Sequence, residues 1–216
     1  PLCSVPDLVL ERRECVAVIG PNGAGKTTLL KTVLNQIPPY AGRVELGANL
    51  KVGYFAQAHE GLVAENTLMD EISTVAPNML PAEVRNYLAR YGFQGDEVFA
   101  RVATHSCGER GRLALAKLAL SDANLLMLDE PTNHLDLATQ EVLQDVLAQY
   151  PGTIMLVSHD RYLIDALATQ IWELDIQSAS LQVFKGAYSE FRQYKEGKLL
   201  PRDLEEVPLT SEPMAE

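Results

Sequence analysis

Short apolar runs alternate along the chain with longer stretches in which apolar residues recur at helical spacing. Runs of four or five apolar residues predict strands that are buried on both faces of a sheet, and segments of alternating polarity predict half-covered strands. The predicted strands are residues 15–19, 43–46, 51–55, 125–128, 153–157, 170–174 and 181–184. The predicted helices are residues 26–35, 67–72, 81–91, 96–101, 106–120, 137–150 and 188–195. This alternation indicates the α/β class with a mostly parallel sheet.

The stretch from residue 60 to residue 104 interrupts the alternation, because its pattern is helical throughout. We therefore expect an α/β core formed by residues 1–59 and 105–196, in which residues 60–104 are inserted as a helical subdomain. A small β-subdomain is expected beside this core. Residues 197–216 are rich in proline and glutamate, which predicts a disordered tail.

Residues 20–28 read Gly-Pro-Asn-Gly-Ala-Gly-Lys-Thr-Thr and follow the first predicted strand. Glycine, four residues and Gly-Lys-Thr form the phosphate-loop pattern, and a strand before it with a helix after it is the context that this motif requires. The glycines let backbone N–H groups face phosphate oxygens, and the helix points the positive end of its dipole at them. Lys26 would contact the β- and γ-phosphates, and Thr27 would offer a hydroxyl to Mg²⁺. The sequence therefore predicts a P-loop NTPase core, with a plain glycine turn as the alternative.

Polar side chains follow two later strands. Asp129 and Glu130 come after the run at 125–128, and His159 follows the strand at 153–157. Open α/β sheets bind ligands at the carboxyl ends of their strands, which favours Asp129 as a magnesium ligand and Glu130 as a general base. An acidic pair in a solvated loop and a histidine at a helix entry are the structural alternatives.

Ser106 and Glu109 stand three residues apart at the start of a helical run, which is the spacing of a capping box. Helix capping alone could account for both residues, and a ligand at the helix N-terminus is the functional alternative.

Length and composition narrow the class of protein. The 216 residues suffice for one large domain, or for a core with a small appended subdomain. No apolar run approaches the ~18 residues of a membrane span, and the three cysteines lack metal-site spacing, which fits a reducing compartment. A net charge of −11 argues against a broad nucleic-acid-binding face. We expect a cytoplasmic protein without a transmembrane segment of its own.

The order of these motifs resembles that of ATP-binding cassette (ABC) ATPases over roughly residues 10–195. That family carries a Walker A phosphate loop, a Q-loop glutamine, a signature motif, Walker B acids and a switch histidine. The corresponding residues here are 20–28, Gln57, 106–109, 125–130 and His159. Glu-Pro-Thr-Asn-His-Leu-Asp at 130–136 and Ser-His-Asp-Arg-Tyr-Leu at 158–163 are similar to the ABC-F class, whose members act at the ribosome rather than in transporters.

The resemblance implies that ATP and Mg²⁺ lie between two cassettes arranged head to tail. The implied nucleotide ligands in one cassette are Asn22, Gly23, Ala24, Gly25, Lys26, Thr27 and Thr28. Thr27, Gln57 and Asp129 are the implied magnesium contacts. Glu130 is implied to polarise the hydrolytic water, His159 to contact the γ-phosphate, and Gln57 to touch Mg²⁺ or the water.

From the opposing cassette, the resemblance implies that Ser106 and Gly108 reach the γ-phosphate and that Asp136 lines the interface. The implied partners are therefore a second cassette, in a homodimer or in tandem, and the ribosome.

Three features depart from the family pattern. The signature motif, Leu-Ser-Gly-Gly in the family, reads His105-Ser106-Cys107-Gly108 here, and Cys107 adds a side chain where backbone should approach phosphate. No aromatic residue for adenine stacking precedes Gly20, and one cassette is present where ABC-F proteins join two by a basic linker. These features predict a second cassette that is truncated at its N-terminus.

Three functions are compatible with these observations. The first is an ATPase half of an ABC-F protein that acts at the ribosome. The second is the ATPase subunit of a membrane transporter, which the pair Asn133-His134 disfavours. The third is a nucleotide-gated interaction module with little turnover, which Cys107 favours.

Overall fold

The computed structural model describes residues 3–55, 61–133 and 135–198 of the chain. The strands are β1 (Cys15–Ile19), β2 (Val52–Phe55), β3 (Leu125–Asp129), β4 (Thr153–Val157), β5 (Gln170–Asp175) and β6 (Ser180–Lys185). The helices are α1 (Lys26–Val33), α2 (Leu68–Ser73), α3 (Pro81–Ala89), α4 (Cys107–Leu120), α5 (Leu137–Ala148), α6 (Arg161–Leu167) and α7 (Tyr188–Lys195). Short 3₁₀ helices span Gly95–Phe99 and Val102–Thr104.

The six strands form one sheet in the order β2-β3-β4-β1-β5-β6. All neighbouring strands are parallel except β5 and β6, which form an antiparallel pair at one edge. The predicted α/β fold with a mostly parallel sheet is confirmed.

The prediction of a strand at residues 43–46 is wrong, because this segment has no strand pairing. Arg43, Glu45 and Leu46 are exposed, and no neighbouring strand satisfies the backbone of this segment. Alternating polarity without a pairing partner does not make a strand. All six strands of the described residues therefore lie in one sheet, and no second sheet represents the small β-subdomain that we expected.

Helix α6 was not predicted, although its start carries a clear signal. The carboxylate of Asp160 accepts hydrogen bonds from the backbone N–H groups of Tyr162 (2.9 Å) and Leu163 (3.2 Å). Asp160 is therefore the N-cap of a short helix that begins two residues after His159.

Alternate residues of the central strands enter two separate cores. Val16 and Val18 of β1 pack in one core with Leu30 of α1, whereas Ala17 packs in the other with residues of α4 such as Leu113. All five side chains are fully buried. Helices thus cover both faces of the sheet and leave the carboxyl ends of its strands accessible to a ligand.

Helices α2 and α3 lie in sequence between β2 and α4, and they share a core with α4 that contains Leu68, Val84 and Leu113. The hydroxyl of Tyr87 also donates a hydrogen bond of 2.8 Å to the carbonyl of Ala116 in α4. The helical character of this insertion agrees with the sequence pattern. Its proposed start at residue 60 and nearly all of the expected tail, 199–216, lie outside the described residues.

Candidate active site

Three polar segments meet at the carboxyl edge of the sheet. Strands β3, β4 and β1 are parallel neighbours, and Val157 of β4 pairs with both Asp129 of β3 and Val18 of β1. The loop that follows β1, the acids that end β3 and the His159 segment that follows β4 therefore leave the sheet side by side.

The loop after β1 has a backbone that requires glycine. Gly20 has φ = 148°, and a Cβ there would lie 2.6 Å from the carbonyl oxygen of Leu174. Gly25 has φ = 97° and immediately precedes α1. Both positions exclude an ordinary side chain, so the loop can turn tightly from strand to helix.

Lys26 lies buried inside this loop. Its Nζ donates hydrogen bonds to the carbonyls of Gly20 (2.9 Å) and Pro21 (3.2 Å). No side chain caps α1, and its first turn contains no acid. The first-turn N–H groups of α1 and the Lys26 cation therefore form an electropositive pocket whose chemistry fits a phosphate chain.

Asn22, Glu130 and His159 come together although they are distant in sequence. The Nε2 of His159 lies 3.3 Å from Oε1 of Glu130 and 3.2 Å from Oδ1 of Asn22. The backbone N–H of His159 also donates to Oε2 of Glu130 at 3.3 Å. An imidazole and a carboxylate thus face each other at the rim of the Lys26 loop.

Glu130 occupies an unusual environment for a glutamate. Its φ of 50° is in the left-handed region, and its backbone N–H donates to the carbonyl of Val157 at 2.8 Å. Such strained residues often belong to active sites. Partial burial raises the pKa of Glu130 above the usual glutamate range, and the nearby His159 ring opposes this shift. A carboxylate with a raised pKa is suited to accept a proton.

Thr27 and Asp129 are the described residues that could hold Mg²⁺. Thr27 is in the first turn of α1, which contacts β3, and Asp129 is the last residue of β3. Mg²⁺ is typically held by one or two carboxylates together with phosphate oxygens and water, so a hydroxyl and a carboxylate fit this ion. The described residues contain no cluster of three or more histidine, cysteine or acidic ligands. Gln57, the third predicted contact, lies outside the described residues.

Ser106, Gly108 and Asp136 form a second group. A Cβ on Gly108 would lie 3.4 Å from Oδ2 of Asp136, so the N-termini of α4 and α5 are adjacent. Asp136 caps α5 by accepting a hydrogen bond from the N–H of Thr139 at 2.8 Å. Within the described ranges, no hydrogen bond or ion pair joins this group to the loop at residues 20–28. The hydrogen bonds and ion pairs of the described residues thus do not connect the two sets of predicted ligands.

The predicted capping box at Ser106 and Glu109 is present. The backbone N–H and the hydroxyl of Ser106 donate to Oε2 of Glu109 at 2.7 and 2.9 Å, and the N–H of Glu109 donates back to Ser106 at 3.3 Å. The hydrogen bonds from Ser106 lower the pKa of Glu109. The structural alternative therefore accounts for this pair without any ligand.

His105 and Cys107, the two unusual signature residues, face different environments. His105 is buried, with Nδ1 2.9 Å from the carbonyl of Arg101 and its ring edge-on to Phe93. Cys107 is exposed at the N-terminus of α4, where an Arg110 guanidinium nitrogen lies 3.6 Å from its Sγ. His105 thus acts as a core residue, and only Cys107 alters the exposed surface of this motif.

The resemblance predicts that Cys107→Gly raises ATP turnover several-fold or more, because it removes a side chain from a surface that the signature motif should bring close to phosphate. ATP affinity of the isolated cassette should change by less than about twofold, since the loop at residues 20–28 is untouched. Steady-state phosphate release and calorimetry measure the two quantities. Cys15→Ala, at a buried thiol of β1, controls for the loss of a cysteine away from this surface. Equal turnover in the wild type and Cys107→Gly would show that the sulfur does not obstruct the surface.

The sequence and the fold are similar to those of known proteins. A family model described as "ABC transporter" matches residues 4–133. YdiF of Bacillus subtilis is 42% identical over 199 residues, which are 92% of this chain and 31% of YdiF. The energy-dependent translational throttle protein EttA of Escherichia coli K12 is 38% identical over 191 residues, 85% of this chain and 34% of EttA. Both relatives are of the ABC-F class.

A solved structure described as "Structure of ATP binding subunit of ABC transporter" superposes with a TM-score of 0.71 and 20% identity. The superposition covers 91% of this chain and 87% of that chain. At this identity the likeness supports the fold alone. The chain spans about a third of the length of YdiF and EttA. Among the described residues, no helix has the length and hydropathy to cross a membrane.

Proposed function

Because this chain belongs to the ATP-binding cassette family, we propose that it is an ATP-hydrolysing cassette of an ABC-F protein, working with a second cassette. The observation that carries the proposal is the contact of Asn22, Glu130 and His159 at the rim of the buried Lys26 loop. The relatives YdiF and EttA are of the ABC-F class, which supports the assignment of this cassette to that class.

We assign nucleotide binding to the loop that contains Lys26 and to the first turn of α1. The proposed ligands are Asn22, Gly23, Ala24, Gly25, Lys26, Thr27 and Thr28. On ATP binding, the Lys26 Nζ would exchange its bonds to the carbonyls of Gly20 and Pro21 for phosphate oxygens. Thr27 and Asp129 would hold Mg²⁺, with Gln57 as a further contact, and the ion would neutralise charge on the phosphates.

In the proposed hydrolysis, Glu130 accepts a proton from water as the water oxygen bonds to the γ-phosphorus. The bond from that phosphorus to the bridging oxygen breaks, and ADP leaves with the bridging oxygen. The imidazole of His159, which contacts the Glu130 carboxylate at 3.3 Å, would turn to the γ-phosphate and fix its orientation. In this scheme the side chains position the water and the γ-phosphate and stabilise charge on the phosphates, and none of them forms a covalent bond to the nucleotide.

The second set of ligands supports a two-cassette site. Ser106, Gly108 and Asp136 share one surface, so we assign them to a nucleotide that is held by another cassette. Each of the two sets of proposed ligands has a large exposed side chain close to it in sequence. Leu137 follows Asp136 and is 72% exposed, and Tyr162 lies three residues after His159 and is 85% exposed. A partner cassette that covers these apolar groups would exclude water from the site.

We propose the ribosome as the target because EttA is named a translational throttle protein. A ribosomal target would place the chain in the cytoplasm. With a net charge of −11, this cassette is poorly suited to a broad contact with RNA. The exposed Cys107 favours the second candidate, a nucleotide-gated module with little turnover.

The experiment that tests this function is phosphate release from MgATP as a function of protein concentration. If two cassettes complete each site, activity per molecule should rise with concentration and reach a plateau when the dimer is saturated. A constant activity per molecule over a hundredfold range that brackets dimer formation would contradict the composite site. Absence of turnover despite ATP binding would favour the gated module.

A further inference from the structure

Glu71 of α2 is completely buried, yet it carries a carboxylate. Its Oε1 lies 2.6 Å from Nζ of Lys117 in α4 and accepts a hydrogen bond from the N–H of Val63 at 3.2 Å. Its Oε2 accepts a hydrogen bond of 2.9 Å from the side-chain amide of Asn66. Lys117 also donates 2.8 Å to the carbonyl of Gly61. The ion pair of the fully buried Glu71 with the partly exposed Lys117 therefore ties the segment at residues 61–66 to the last turn of α4.

The same segment is also held next to the start of α4. The N–H of Val102 donates to the carbonyl of Asn66 at 2.9 Å, and the N–H of Ala103 donates to the carbonyl of Ala64 at 3.0 Å. Residues 61–66 are thus bonded both to the turn that leads into α4 and, through Lys117, to the last turn of the helix. The two attachments therefore lie near opposite ends of α4.

Stability alone does not explain an ion pair at this place. Apolar side chains of similar volume can replace buried ion pairs without loss of stability. The surrounding core already contains Leu68, Ile72 and Leu113. Unlike apolar contacts, the bonds of Lys117 to Glu71 and to Gly61 are directional, so they specify one position of α4 against the segment.

We propose that Glu71 and Lys117 are positioning residues for the two-cassette ATPase, and this inference rests on the function proposed above. The pair sets the direction of α4 and thereby the presentation of Ser106 and Gly108 to the opposing nucleotide. Lys117 is ten residues from Cys107 along α4, a distance of about 15 Å. A small rotation about Lys117 therefore displaces the N-terminus of the helix. Neither residue touches the substrate.

The test compares the wild type with the double variant Glu71→Met/Lys117→Met, which removes both charges and retains side-chain volume. We expect kcat to fall by about tenfold or more through misplacement of α4, with ATP affinity of the monomer changed by less than about twofold. Lys51→Gln/Asp122→Asn removes an exposed ion pair near the end of α4 and should leave kcat unchanged. Glu71→Gln, which keeps the side-chain shape, is the second variant if the double variant does not fold.

Amide hydrogen exchange distinguishes a failure of the positioning role from a failure of ATP binding. In the wild type, MgATP should protect residues 20–28 and, at concentrations that favour dimers, also residues 105–110. The double variant should keep the first protection and lose most of the second. Wild-type kcat together with wild-type protection at 105–110 in the folded variant would overturn the positioning role. No protection at 20–28 in the wild type would contradict ATP binding itself, and the positioning role with it.

Discussion

Glu130→Gln is expected to lower the rate of ATP hydrolysis by ~10²-fold or more while ATP remains bound. Glutamine has the shape of glutamate and can still accept the hydrogen bond from the N–H of His159. It cannot accept the proton of the attacking water. Lys26 and the first turn of α1 are unchanged, so the affinity for ATP should persist.

Phosphate release at saturating MgATP measures the rate, and calorimetry measures the affinity. Glu141→Gln, which makes the same change at an exposed position of α5, is the matched control and should keep wild-type activity. Wild-type turnover in Glu130→Gln would exclude Glu130 as the base. Loss of ATP binding in Glu130→Gln would mean that this side chain organises the nucleotide site rather than the proton transfer.

Lys117→Met is expected to reduce the free energy of unfolding by about 3–5 kcal/mol, because it leaves the carboxylate of Glu71 buried without its cation. Val63 and Asn66 would still donate hydrogen bonds to that carboxylate but would not neutralise its charge. Chemical denaturation followed by circular dichroism measures the change.

Two further variants make this stability prediction specific. Lys51→Met removes the cation of an exposed ion pair with Asp122 and should cost no more than about 1 kcal/mol. Adding Glu71→Met to Lys117→Met should restore most of the lost stability, because no charge is then left unpaired. A loss in Lys117→Met no larger than that in Lys51→Met would show that water or another group solvates Glu71.

The elements that were predicted well have strong local signals. The strands at 15–19 and 153–157 and the helix at 188–195 have the predicted bounds. Uninterrupted apolar runs and a capped amphipathic pattern specify such elements locally. The alternation at 43–46 was not sufficient, because a strand also needs a neighbour. Helix α6 was missed because seven residues carry little periodicity, although Asp160 signals its start.

The site was only partly predictable. Its residue types could be read from motifs, but the contact between Asn22 and His159 depends on β1 and β4 being neighbours, and local patterns do not specify that strand order. The pair of Glu71 and Lys117 was not foreseen, since it exists only once α2 docks on α4. The roles of Ser106 and Gly108 concern a second cassette, so they stay predictions.

We propose that Glu130 accepts the proton of the attacking water when ATP bound at the Lys26 loop is hydrolysed. A single-turnover assay tests this role, with the cassette in excess over radiolabelled MgATP and at a concentration that permits two cassettes to pair. We predict that the wild type converts bound ATP to ADP, whereas Glu130→Gln retains uncleaved ATP over the same period. Cleavage at equal rates in the two proteins, or ATP left uncleaved by the wild type, would contradict this role of Glu130.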